Sequence, residues 1–136
     1  MTTSSEASAL VTAIRTGDVA ALQKVLAENP GVASSPLGGN LGARTPLHVV
    51  TDWPGFFPNG PAVVRLLIAA GADPNARSPG QQFAETPLHW AASSDDVEVL
   101  DALLDAGADL EAGGGVVAGG TPLADATAFA QWETAR

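Results

Sequence analysis

Two histidines, His48 and His89, are the only imidazoles in the 136 residues, and each stands fourth in a TPLH tetrapeptide. Imidazole titrates near neutrality, so its possible chemistry is general-base catalysis or metal ligation. If both belong to the scaffold, no imidazole is left for a Ser-His-Asp arrangement or a histidine metal site. The carboxylates of Asp95, Asp96 and Glu98 have the oxygen chemistry for a hard cation. They directly precede an apolar helical pattern, however, and the dipole of a helix N-terminus favours carboxylates there in any case. The run GGGVVAGG, 113–120, is as glycine-rich as a phosphate cradle, but its register fits neither a P-loop nor GxGxxG, and it leads into a helix start rather than out of a strand. No GxSxG elbow occurs. Cysteine is absent, which excludes thiolate catalysis, disulfides and cysteine-based zinc sites. No catalytic residue, metal site or cofactor is expected.

The chain's organisation lies in its repeats. TPL blocks begin at Thr45, Thr86 and Thr121, 41 and 35 residues apart. Each is followed by apolar segments, and PAVVRLLIAAGADPNA (61–76) superimposes on VEVLDALLDAGADLEA (97–112) without a gap. VAALQKVLAENPGVA (19–33) fits the same frame with Asn29 in place of the glycine. Threonine can accept from the orphan N–H groups of a helix start, and proline at the next position loses nothing by lacking its own. The second helix of each unit shows one apolar stripe: Val19, Leu22, Val25 and Leu26, then Pro61, Val64, Leu67 and Ile68, then Val97, Leu100, Leu103 and Leu104. Gly71 and Gly107 stand where each helix must stop in a left-handed conformation.

TPLHxA followed by a helix ending in GADxN resembles the ankyrin repeat, and the resemblance covers nearly the whole chain. It implies an all-α solenoid of stacked helix-turn-helix units with projecting hairpin fingers. One domain over 1–136 is expected, with a capping repeat at about 5–40, repeats at 45–77 and 86–112, and a partial repeat at 121–136. SALVTAI (8–14) replaces the TPLH block in the first unit, as suits an atypical cap. The resemblance also implies that each TPLH histidine bonds near its capping threonine and the neighbouring repeat. It implies further a non-catalytic scaffold that binds a protein through its inner helix row and fingers. The competing classes are a small-molecule binder or enzyme with its pocket at the concave face, and the recognition domain of a longer protein.

Composition narrows the partner. Net charge is −9, and no Lys or Arg occurs between Arg77 and Arg136, where carboxylates accumulate from Glu85 to Glu133. Phosphate backbones and anionic membranes need clustered cations, so neither nucleic acid nor a membrane is expected. A basic protein would be steered to this half, or the acidity serves solubility alone. Asp101 and Asp105 are like charges at i, i+4, mildly destabilising unless something basic meets them. The start, MTTSSEASAL, has no cationic and apolar leader pattern, and AVVRLLIAA is too short to span a bilayer, so a cytoplasmic protein is expected. One Lys against five Arg, with abundant Ala and Gly, suggests a bacterial gene.

Trp90 follows TPLH where other units have Val49 and Asp125, a variability that predicts partial exposure on the inner row. Trp90 and Phe83 are the leading contact candidates, with packing between repeats the equal alternative. The connection between the second unit's helices is five residues longer than that of the third, and it reads TDWPGFFPNGP (51–61). Its rings either form a recognition surface, with Trp53 and Phe57 as contacts, or fold back on the first and second units. Packing is the expectation, with Phe57 the most exposed. QWETAR aligns with DVEVLD, so the last helix pair is incomplete. Leu123, Phe129 and Trp132 then predict fraying, completion by further chain, or pairing with a second copy through 121–136.

Overall fold

Helices begin where the TPL blocks place them. The computed structural model describes residues 4–37, 44–78, 85–115, 119–128 and 134. Helices α1 (Ser4–Thr16) and α2 (Val19–Glu28) form the first pair, α3 (Pro46–Thr51) and α4 (Gly60–Ala69) the second, and α5 (Pro87–Ser93) and α6 (Val97–Asp105) the third. Helix α7 (Pro122–Ala128) opens the fourth unit, and Val32–Ser34 is a single 3₁₀ turn. Among the described residues there is no strand beyond one antiparallel bridge, Leu37 with Arg44.

Caps and stops have identifiable causes. Thr45 Oγ1 accepts from the His48 N–H at 3.3 Å, and Thr121 Oγ1 accepts from the Ala124 N–H at 3.4 Å. Asp18 caps α2 through the Ala21 N–H at 3.0 Å, and Asp96 caps α6 through the Val99 N–H. Gly71 and Gly107 follow α4 and α6 with φ of 104° and 98°. Their neighbours Ala72 and Ala108 bond back to Leu67 and Leu103 at 3.0 Å, closing each helix end.

The helices stack in two rows: α1, α3, α5 and α7 in one, α2, α4 and α6 in the other. Short connections make each pair antiparallel, so the inter-helix loops lie at one end and the hairpins at the other. Hairpin bases are described in three places, by Leu37–Arg44, by Ser78 N–H to Glu85 O at 2.8 Å, and by Gly114 and Gly115 N–H to Gly119 and Gly120 O at 2.9 Å. The core between the rows holds Leu10, Ile14, Leu22, Leu47, Val50, Val63, Val64, Leu67, Leu88 and Leu103, all at most 1% exposed. Each such side chain contributes about 1.5–3 kcal/mol.

The buried stripes differ from the expected ones. Val63 and Val99 are buried, while Pro61, Ile68, Val97 and Leu104 are half-buried. Packing against both the other row and the next helix of its own row broadens and rotates the covered arc. In α2 only Leu22 is buried, because this helix ends its row and has one lateral neighbour. In α7, Leu123 is 53% exposed and Ala126 is buried; Phe129 and Trp132 lie outside the described residues.

Candidate functional site

His48 Nε2 lies 2.9 Å from the carbonyl of Glu85, and Nδ1 lies 2.7 Å from the Thr45 hydroxyl. A carbonyl only accepts, so Nε2 carries the proton and Nδ1 accepts from the hydroxyl. His89 repeats the arrangement one unit on: Nε2 donates to Gly120 O at 3.0 Å, and Nδ1 accepts from the Thr86 hydroxyl at 2.8 Å and the Thr86 N–H at 3.2 Å. Both rings are buried. Burial pushes His48 down to about 4, outweighing the opposing hydrogen bond to Glu85 and the charges of Glu85 and Asp52. Each imidazole thus ties its own helix cap to the residue before the next unit's threonine.

Trp90 is half-buried, and its ring meets His48 edge to face with centroids 4.7 Å apart at 71°. It packs between repeats and still presents surface. The expectation that this position is partly exposed in every unit is wrong for the other two: Val49 is 3% and Asp125 0% exposed. Helices α1 and α5 cover Val49 from both sides and the third hairpin covers Asp125, while the larger Trp90 ring reaches out. Asp125 lies under the third hairpin, where a Cβ on Gly115 would come within 2.8 Å of its carboxylate and 3.0 Å of His89. Phe83 lies outside the described residues.

The loop between α3 and α4 departs most from expectation. Its backbone packs, while the rings of Trp53 and Phe56 do not. Gly55 sits against Ser94, where a Cβ would approach to 3.0 Å, and the Phe56 N–H donates to Asp96 Oδ2 at 2.8 Å. At the other end Asn59 Nδ2 donates to Gly17 O at 2.9 Å, and Gly17 lies so close to Pro58 that a Cβ there would fall 2.1 Å from its carbonyl oxygen. Asp52, beside the loop, pairs with Arg15 at 3.6 Å and with Arg44. The clamp leaves Trp53 72% and Phe56 66% exposed, while Phe57 is half-buried. The expected packing of the rings, with Phe57 the most exposed, is therefore overturned. Backbone and small-residue contacts fill the space the rings were expected to take. Phe56 and Asn59 hold φ of 58° and 56°, left-handed values uncommon for residues other than glycine.

Beside Phe56 and Phe57 runs a groove of about 870 Å³ whose far wall is the start of α6. Asp96 is buried and spent on the α6 cap and the loop, and Asp95 Oδ1 accepts from the Thr134 N–H at 2.7 Å. Among the described residues no three His, Cys, Asp or Glu side chains are grouped to hold a metal ion. Glu98, Asp101 and Asp105 lie exposed along α6, and Arg65 of α4 faces the groove. The sequence reading had not singled out Phe56 or Arg65; a ring directly after Gly55, in an overlong loop, is the signal that could have found the first.

Among the described residues no helix is long and apolar enough to cross a membrane. A sequence profile described as ankyrin repeats (3 copies) matches residues 56–136. Protein fem-1 homolog A of Rattus norvegicus is 37% identical over an alignment of 83 positions that covers 54% of this chain and 12% of that protein. E3 ubiquitin-protein ligase KEG of Arabidopsis thaliana and palmitoyltransferase AKR1 of Kluyveromyces lactis are each 46% identical over 48 residues, 35% of this chain and 3% and 6% of theirs. The chain therefore spans a small part of these relatives' lengths. Helix pairs stacked in two rows, hairpins between them and a histidine tie from unit to unit agree with the profile: the chain belongs to the ankyrin repeat family.

Proposed function

We propose that this chain is a non-catalytic protein-interaction module, a single ankyrin repeat domain working in the cytoplasm of a bacterium. It binds a protein of basic character through its inner helices, its hairpins and its acidic C-terminal half. One observation carries the reading: both histidines are spent on inter-repeat hydrogen bonds, while the rings of Trp53 and Phe56 are held out in solvent. Exposed apolar rings on a monomer mark association surfaces. Trp90 is a further anchor on the inner row, and Asp101 and Asp105 supply the attraction for cations. Neither nucleic acid nor a membrane surface suits this charge.

A second reading, the recognition segment of a longer protein, is favoured by the length of the relatives, of which the matched residues are 12% or less. Affinity capture followed by reconstitution from purified components tests the primary reading. The expected complex associates more slowly as salt rises, and Trp90→Ala speeds its dissociation. An on-rate indifferent to salt removes the charge argument. Loss of a measured turnover in a folded His89→Ala protein overturns the non-catalytic reading.

A further inference from the structure

The groove beside the α3–α4 loop lies at the opposite end of the helices from the hairpins, and its walls combine two chemistries. Phe56, Phe57 and Val97 make it apolar, while Asp95 and Glu98 charge its rim against the single positive charge of Arg65. A smaller depression of about 330 Å³ continues along the α4–α6 seam from Arg65 to Asp105. Glu98, Asp101 and Asp105, at i, i+3 and i+7, form one exposed stripe of α6, with Glu98 lining the groove and Asp105 the depression. That stripe rises about 10 Å along the helix, the span of roughly three extended residues.

The apolar wall is built rather than incidental. A left-handed conformation costs a residue such as Phe56 about 1–2 kcal/mol. It persists only where the surroundings enforce it, and such strain clusters at functional sites. Here the enforcement is visible on both sides: Asp96 holds the Phe56 N–H, and Gly17 and Asn59 hold the loop's far end. A wall already fixed loses little freedom when something docks on it.

We infer that this trough is a docking site for a short basic segment of a protein partner. An apolar side chain of the segment inserts against Phe56 and Phe57, and the adjoining Lys or Arg side chains lie along Glu98, Asp101 and Asp105. Nucleic acid and anionic lipid are disfavoured by the same carboxylates. The inference rests on the protein-interaction reading and gives it a surface distinct from the inner row that carries Trp90.

A displayed library of random peptides, selected on the folded chain, supplies the probe. Enrichment of Lys or Arg next to Leu, Ile or Phe is expected. A selected peptide should lose about tenfold or more in affinity, the size of effect seen on removing an interface anchor, in Phe56→Asn and in the Asp101→Lys, Asp105→Lys double variant. Asparagine tolerates the left-handed backbone, so the first variant removes the ring and keeps the loop; melting curves confirm the fold of both. Trp90→Ala should leave this binding unchanged. Peptides without basic enrichment, no selected peptide, or peptides indifferent to both groove variants overturn the inference. If those peptides are lost instead in Trp90→Ala, protein interaction stands and only the groove assignment falls.

Discussion

His48 makes the stability of the domain depend on pH in a calculable way. In the unfolded chain its imidazole titrates near 6.5, and in the folded chain burial holds it down to about 4. Between those values the unfolded state binds a proton that the folded state refuses. The stabilising contribution is therefore full above pH 6.5 and is lost as the pH falls towards 4. Applied between pH 7 and pH 5, the two constants give a loss of about 2 kcal/mol, and about 3 kcal/mol over the whole interval. Urea denaturation of the parent and of His48→Gln, at steps across this range, isolates the effect. Glutamine lowers stability at pH 7, since the Glu85 carbonyl and the Thr45 hydroxyl lose their partner, but it does not titrate. The diagnostic quantity is the slope: the parent should lose about 2 kcal/mol more than the variant on going from pH 7 to pH 5. The ring-proton resonance of His48 in the parent gives an independent reading and should show no titration above pH 5. Parallel stability curves, or a resonance titrating near 6.5, would refute the burial argument.

The glycines allow a graded test. A Cβ at Gly107 meets nothing within 4 Å, so Gly107→Ala should cost only left-handed strain, about 1–2 kcal/mol, and Gly107→Val somewhat more. Gly17→Ala adds overlap with the Pro58 carbonyl and should cost about 3 kcal/mol or more; equal midpoints for the two alanine variants would contradict the clamp. Asp96→Ala removes a helix cap and the acceptor for Phe56, a loss of about 2 kcal/mol by chemical denaturation, whereas Asp96→Asn keeps one acceptor and should fall between. Phe56→Asn should leave stability unchanged or raise it by up to about 1 kcal/mol, since the ring is exposed and asparagine relieves left-handed strain; a loss would mean that the ring packs.

Much of the scaffold was legible because it is local. Thr45 before Pro46, and Gly71 and Gly107 after their apolar stripes, act within a turn of chain, and repetition multiplies the signal. The histidine role was legible only through the family resemblance, since its acceptors at Glu85 and Gly120 lie in the next unit. The loop was misread because its position depends on contacts that leave no local pattern. Phe56 is held by Asp96 and Asn59 by Gly17, pairs 40 and 42 residues apart. Composition suggested that rings seek cover; the backbone took the cover first. Asp125 was misread for a similar reason, because burial at that position is decided by the third hairpin and by His89 of the neighbouring helix, and not by its own polarity.

The histidine tie also sets an order of events during synthesis. The acceptor for His48 is 37 residues further along the chain, and that for His89 is 31 further. At roughly 5–20 residues per second, Glu85 is made about 2–7 s after His48, and it must then clear the ribosome. During that interval the second unit has its own cap but an imidazole with no carbonyl to hold. The inter-repeat hydrogen bond of each unit is thus completed only by the arrival of its successor. A ribosome-bound chain halted before Glu85 emerges should expose α3 to protease, and release of the chain through α5 should protect it.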